Sequence, residues 1–123
     1  MPVENQGHRF RARVERRGRL AVLEFLGELD IAAREEAGRA LEETIKSAPG
    51  GVVVNLQGLS FMDLTGVHCF LEAKTLADAA GTRLAVLHGS GPAHRVLALT
   101  RIDDVIEMVD DLGNLDPLVS RAG

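Results

Sequence analysis

The sequence predicts an α/β fold: a mixed β-sheet opened by a β-hairpin, with α-helices packed on it. Three observations carry this reading of the 123 residues. Two β-type runs separated by a glycine-centred turn open the chain. Continuous β-branched runs come next. They alternate with stretches whose apolar residues recur at three- and four-residue steps. The resulting order, β-β-α-β-α-β-α-β, pairs a hairpin with βαβ units and so mixes antiparallel and parallel strands.

Each element has its own signal. Phe10, Ala12 and Val14 alternate with Arg9, Arg11 and Arg13, as in a strand with one solvated face. Arg17–Arg19 makes the turn, and Leu20 to Gly27 is the returning strand. A helix comes after it, with Ala33, Ala37, Ala40, Leu41, Thr44, Ile45 and Ala48 in one apolar stripe. Asp30 stands at its N-cap, where a carboxylate takes the free amides of the first turn. Gly51 to Leu56 is a continuous β-branched run, expected to be buried on both faces. A second helix is predicted from about Thr65 to Ala80, with Val67, Phe70, Leu71, Ala73, Ala77 and Ala80 inward and Gly81 as its stop. Arg83 to His88 is a further buried strand. Pro92 opens a short helix, and Ser90 in front of it is read as a cap. Val105 to Val109 is an edge strand, and the final stretch from Asp111 holds a helical turn.

Charge and composition narrow the function. Residues 1–20 carry six arginines against two glutamates, +4, so with a total of −4 the remaining residues carry −8. An acidic body argues against general nucleic-acid binding, which needs a basic face for phosphates. No apolar run approaches the roughly 20 residues that span a bilayer, and no secretory h-region opens the chain. A cytoplasmic protein without membrane contact is expected. Cys69, the single cysteine, fits a reducing compartment.

Catalytic patterns are weak. Ser90 lies near His88 and His94, but Gly89-Ser90-Gly91 lacks the nucleophile-elbow spacing. The four histidines are scattered, with no H-x-x-x-H or C-x-x-C pair, so no metal site is predicted. "HGSGP" is a glycine-rich loop between strand and helix, yet no P-loop lysine is nearby, and no cofactor is expected. The polar feature that stands out is "MDLTG", Met62 to Gly66, at a strand-to-helix turn. Free amides and the helix dipole point at such a turn, so phosphorylation there would change a contact surface without refolding the domain. The alternative is that Asp63 and Thr65 only cap the helix.

"LSFMDLTGVHCFLEA" resembles the turn of STAS domains, in particular bacterial anti-sigma factor antagonists. That family reads a buried strand, then Asp-Ser-[Ser/Thr]-Gly, then a helix. "LGELDIAA", Leu26 to Ala33, is similar to the family's Gly-Glu-Leu-Asp strand end, and "AGTRLAVLHGSGPAHRVLALTRIDDVIEMVDD" resembles its second half. The resemblance covers residues 8–112 and leaves 1–7 and 113–123 as terminal extensions. It implies a STAS fold and partner switching. Such a domain binds an anti-sigma factor, commonly one with a histidine-kinase-like ATPase fold, and so frees a sigma factor for transcription. It is a substrate and binding module, not an enzyme, and the family includes homodimers. The implied partner surface is Glu28, Asp30, Asp63, Leu64, Thr65 and Gly66. The family's phosphoacceptor is the first hydroxyl after the aspartate, and here that position is Leu64. Thr65 matches the second hydroxyl, and its side chain is expected to engage the backbone at the helix start. Three outcomes stay open: an antagonist that binds constitutively, an acceptor relocated to Thr65, or a STAS scaffold for another protein or a nucleotide. Asn55 stands where acidic residues are common in the family.

Overall fold

The computed structural model describes residues 9–110. The outer limits of the predicted domain, the terminal extensions and the helical turn expected after Asp111 lie outside them. Five strands form one sheet in the order β1-β2-β3-β4-β5. β1 (Phe10–Arg17) and β2 (Leu20–Leu29) are the antiparallel hairpin, closed by Gly18 and Arg19. β3 (Val52–Met62), β4 (Leu84–Leu87) and β5 (Glu107–Val109) then add in parallel, each beside the last. The connecting helices are α1 (Arg34–Ser47), α2 (Leu64–Ala80) and α3 (Pro92–Thr100).

Parallel strands that step in one direction with one crossover hand place every connecting helix on the same face. The core shows this. Phe25, Val54, Leu56 and Val86 of the sheet join Leu41, Ile45, Phe70 and Leu97 of the helices in one buried cluster. Alternate sheet residues, among them Val22, Val53 and Leu87, form a smaller buried cluster on the opposite face. An aromatic column ties the layers together. Phe10 of β1 meets Phe25 of β2 edge-on at 4.9 Å, and Phe25 stacks with Phe70 of α2 at 6.4 Å.

Several boundaries differ from those expected of the sequence. β3 continues past Leu56 to Met62, because the far half of β2 offers it partners from Leu26 to Leu29. β3 takes two extra residues on the way, one between Asn55 and Gly58 and one between Leu59 and Phe61. At the first, the buried Asn55 side chain accepts a hydrogen bond from the Gln57 amide (2.9 Å), so its role here is to hold a bulge. β5 begins at Glu107, not Val105. Ile102–Asp104 forms a 3₁₀ turn whose Ile102 carbonyl accepts from the Val105 and Ile106 amides. In α2, Leu71 and Ala80 lie outward, whereas Gly66 and Cys69 are buried. The buried arc runs through Gly66, Cys69, Phe70, Ala73 and Ala77, and Leu71 lies about 100° beyond Phe70 on the side away from Cys69. Val14 is exposed, so the alternation in β1 ends at Ala12.

Candidate functional site: the rim at the ends of β2 and β3

The two polar motifs meet because β2 and β3 are parallel neighbours. Leu29 pairs with Met62, and the Asp63 amide donates to the Leu29 carbonyl (3.4 Å). Each strand therefore ends on an aspartate, and each aspartate starts a helical turn in the same way. Asp30 is extended (φ −127°, ψ −170°), and its Oδ1 accepts from the Ala32 amide at 3.1 Å. Asp63 is extended (φ −118°, ψ −163°), and its Oδ1 accepts from the Thr65 amide at 2.9 Å. The Asp30 cap serves a 3₁₀ turn, Ile31–Ala33, that leads into α1, where α1 itself has no side-chain cap. Glu28 completes the acidic rim, with Arg9 Nη1 at 4.0 Å from its Oε2.

Behind each cap stands an exposed apolar side chain. Leu64, the first residue of α2, is 56% exposed, and Ile31, the first of the 3₁₀ turn, is 70% exposed. Phe61, paired across the sheet with Glu28, is 45% exposed. The site expected from the sequence includes Leu64 but neither Ile31 nor Phe61. A leucine-like position directly after a capping aspartate is a signal available in both motifs.

The remaining predicted residues separate. Thr65 is partly exposed, and its hydroxyl has no hydrogen-bond partner among the described residues. This corrects the expectation that the backbone holds it: the amide of Thr65 is capped, not the side chain. Gly66 lies beneath the rim rather than on it. A Cβ there would sit 2.6 Å from Met62 Sδ and 3.1 Å from Leu29 Cδ2, so glycine is needed to seat α2 against the strand ends. It belongs to the support of the site, not to its contact surface.

The second region of interest is the end of β4. His94 Nδ1 lies 3.2 Å from His88 Nδ1, and His88 Nδ1 lies 2.6 Å from the Gly89 carbonyl oxygen. Neither imidazole is hydrogen-bonded to Ser90. Ser90 also does not cap α3, whose N-cap is Gly91 with no side-chain bond. Beside the histidines a cavity of about 280 Å³ opens between α3 and β5, lined by Leu97, Arg101 and Met108 among others. Among the described residues no group of three metal-ligating side chains occurs, and no helix is long and apolar enough to cross a membrane.

Comparison with known proteins is decisive at the level of family. The STAS domain family model matches residues 11–115. The chain belongs to the STAS domain family. The solved structures similar to this STAS domain include anti-sigma factor antagonists. SpoIIAA, the antagonist in its unphosphorylated form, is 26% identical, with a TM-score of 0.64 over 84% of this chain and 91% of that one. An antagonist from Mycobacterium paratuberculosis is 20% identical, with a TM-score of 0.75 over 90% and 94%. The phosphorylated form of the Bacillus cell fate determinant SpoIIAA is 24% identical, with a TM-score of 0.65 over 88% and 99%. The latter two likenesses are of fold. No curated protein matches this STAS domain.

Proposed function

We propose that this STAS domain is a bacterial, cytoplasmic anti-sigma factor antagonist, a binding module rather than an enzyme. It binds an anti-sigma factor with a histidine-kinase-like ATPase fold and so releases a sigma factor for transcription. The observation that supports this best is the rim itself. Two capped aspartates at the paired ends of β2 and β3 are each followed by an exposed apolar residue, Ile31 and Leu64, and Glu28 pairs with the half-exposed Phe61 one step before the strand ends. Apolar anchors inside a charged border are what a specific protein contact needs. Phosphorylation at the usual acceptor position cannot occur, because leucine has no oxygen nucleophile. The proposed antagonist therefore binds without the ordinary phosphate switch.

Affinity capture on the full chain from its native cell, with mass spectrometry of the partner and of residues 51–83, tests this reading. An ATPase-fold anti-sigma factor recovered with unmodified Thr65 is expected. Phosphate on Thr65 at near-stoichiometric level would make Thr65 the relocated acceptor. Recovery of no anti-sigma factor would overturn the function.

The cavity beside His88 and His94 is the observation behind a second reading, a STAS scaffold that takes a nucleotide, with Arg101, which also pairs with Asp103 and Asp104, as its cation. Calorimetric titration with ATP and with GTP separates the two: saturable binding lost in Arg101→Gln supports the scaffold reading.

A further inference from the structure

The helices account for one face of the sheet, and the other face is buried as well. Leu20, Val22, Val53, Ala85, Leu87 and Val109 form the cluster on that second face, and none of the described helices contributes a residue to it. Yet Val53 is 1% exposed and Leu87 is 0% exposed. Side chains stand roughly perpendicular to a sheet. Neighbouring strands therefore shield the flanks of a side chain and leave its tip to whatever lies above. The neighbours here are also short: Val22 and Ala85 flank Val53, and Asn55 and Val109 flank Leu87. Long side chains stand at the border. Arg13 pairs with Glu24 at 2.7 Å on the β1–β2 side, and Arg83 pairs with Glu107 at 2.6 Å where β4 and β5 begin. Glu24 shares the face of Val22, and Glu107 that of Val109, by the two-residue period of a strand. An apolar sheet face is buried by packing another element on it, and the described residues supply none for this one.

We propose that residues 111–123 of the same chain cover this face, through Leu112, Leu115, Leu118 and Val119. Position and composition choose this occupant. β5 is the last strand, and it ends at Val109, itself a member of the buried cluster. From 111 to 123 the chain has 13 residues. The cluster extends from β5 to β2, three strand spacings or about 14 Å. Even at the helical rise per residue, a stretch of that length spans about 20 Å. The opposite end of the chain is the poorer match. Residues 1–8 lead into β1 at the far edge of the sheet, and Met1 and Val3 are their large apolar side chains among polar ones. The cover keeps an apolar face away from other copies of the chain, and it leaves the rim and the helix side for a partner.

This inference does not depend on the proposed function. Methyl-labelled full-length protein tests it by nuclear Overhauser spectroscopy. Cross-peaks from the methyl groups of Val53 and Leu87 to those of Leu115, Leu118 or Val119 are expected. Cross-peaks to Val3 in their place would overturn the assignment. So would cross-peaks that a mixture of labelled and unlabelled chains shows to run between copies, since a second copy would then be the cover. Thermal unfolding of full-length variants gives an independent readout. Leu115→Asp/Leu118→Asp is expected to lower the midpoint by roughly 4 °C or more, and Val3→Asp to leave it within about 2 °C. A midpoint unchanged in the double variant, or lowered as much in Val3→Asp, would overturn the proposal.

Discussion

On the proposed function, Leu64 puts an aliphatic side chain where a phosphate would otherwise be carried, in surroundings that ask nothing of it. It is the first residue of α2, it points outward, and the cap is made by its neighbour Asp63. The position is therefore free of any duty inside the fold, and Leu64→Ser is expected to leave stability within about 0.5 kcal/mol, as exposed substitutions do. On the proposed function that variant becomes a substrate when incubated with ATP and the cognate anti-sigma kinase, and it binds more weakly once modified. Intact-mass spectrometry checks the first outcome and titration of the modified protein the second. Thr65 in the wild type is expected to stay unmodified. Its hydroxyl is not tied down, so the reason is placement: one residue along a helix turns a side chain by about 100°, and in-line transfer fails for misplacements on the scale of an ångström. Cys69 is the opposite kind of residue. Burial pushes its thiol above the ordinary cysteine range and is the dominant cause, with Arg34 lowering it and Glu72 raising it. The unfolded chain then releases that proton first. This group's contribution to stability is therefore present below the ordinary thiol value, about pH 8.5–9, and is lost as the pH rises through the folded value. Denaturant titrations at pH values of about 8 and about 10, on either side of that range, should show a lower midpoint at the higher pH in the wild type. The drop should be smaller in Cys69→Ala.

The capping aspartates are the elements' own device, and they also set how the rim must be tested. Asp63 holds the start of α2 and Asp30 the turn before α1. Replacement by arginine would remove cap and charge at once. Asparagine caps about as well as aspartate, whereas alanine loses the cap at a cost of about 1 kcal/mol. Asp63→Asn is therefore expected to keep the thermal midpoint and report only on the charge. Asp63→Ala should lower the midpoint by several degrees, roughly 3–6 °C. Equal midpoints for the two would mean that the Asp63 cap adds nothing. β3 shows the converse relation between element and sequence. Its apolar run ends at Leu56, yet the strand continues through Ser60, whose hydroxyl donates to the Gly27 carbonyl at 3.1 Å. The two bulges carry the chain from the buried centre of the sheet to the rim.

At the scale of the whole molecule, the core is one-sided in its helices and anchored by Phe10, Phe25 and Phe70. Phe70 is fully buried, and Phe70→Ala is expected to cost about 3–5 kcal/mol through lost burial and the cavity left behind. Chemical denaturation would measure it, and a cost below about 1 kcal/mol would contradict the column's place in the core. The hairpin arginines are spent on exposed pairs, such as Arg13 with Glu24 at 2.7 Å and Arg16 with Ser47 Oγ at 2.8 Å. Exposed pairs are worth about 0–1 kcal/mol. Replacing Arg9, Arg11 and Arg13 with glutamine should therefore change partner affinity by less than about tenfold. A larger loss would make β1 an interface.

Order and type of element were legible in the sequence because they arise from local chemistry. β-branched runs, the alanine stripe of α1, the capping aspartates and Gly81 each act within a turn or a strand of their own position. So was the turn at Asp63–Gly66, since its residue types recur in a family. Three things were decided only in three dimensions. The length of β3 depended on the partners that β2 could offer. The apolar half of the rim depended on Leu29 pairing with Met62, which brings the turns that carry Ile31 and Leu64 to the same end of the sheet. Gly66 reads as part of a contact loop until Met62 and Leu29 are seen to fill the space its side chain would need. Each turns on a contact with β2, which is distant in the chain, and no local signal encodes which distant residue will be the neighbour.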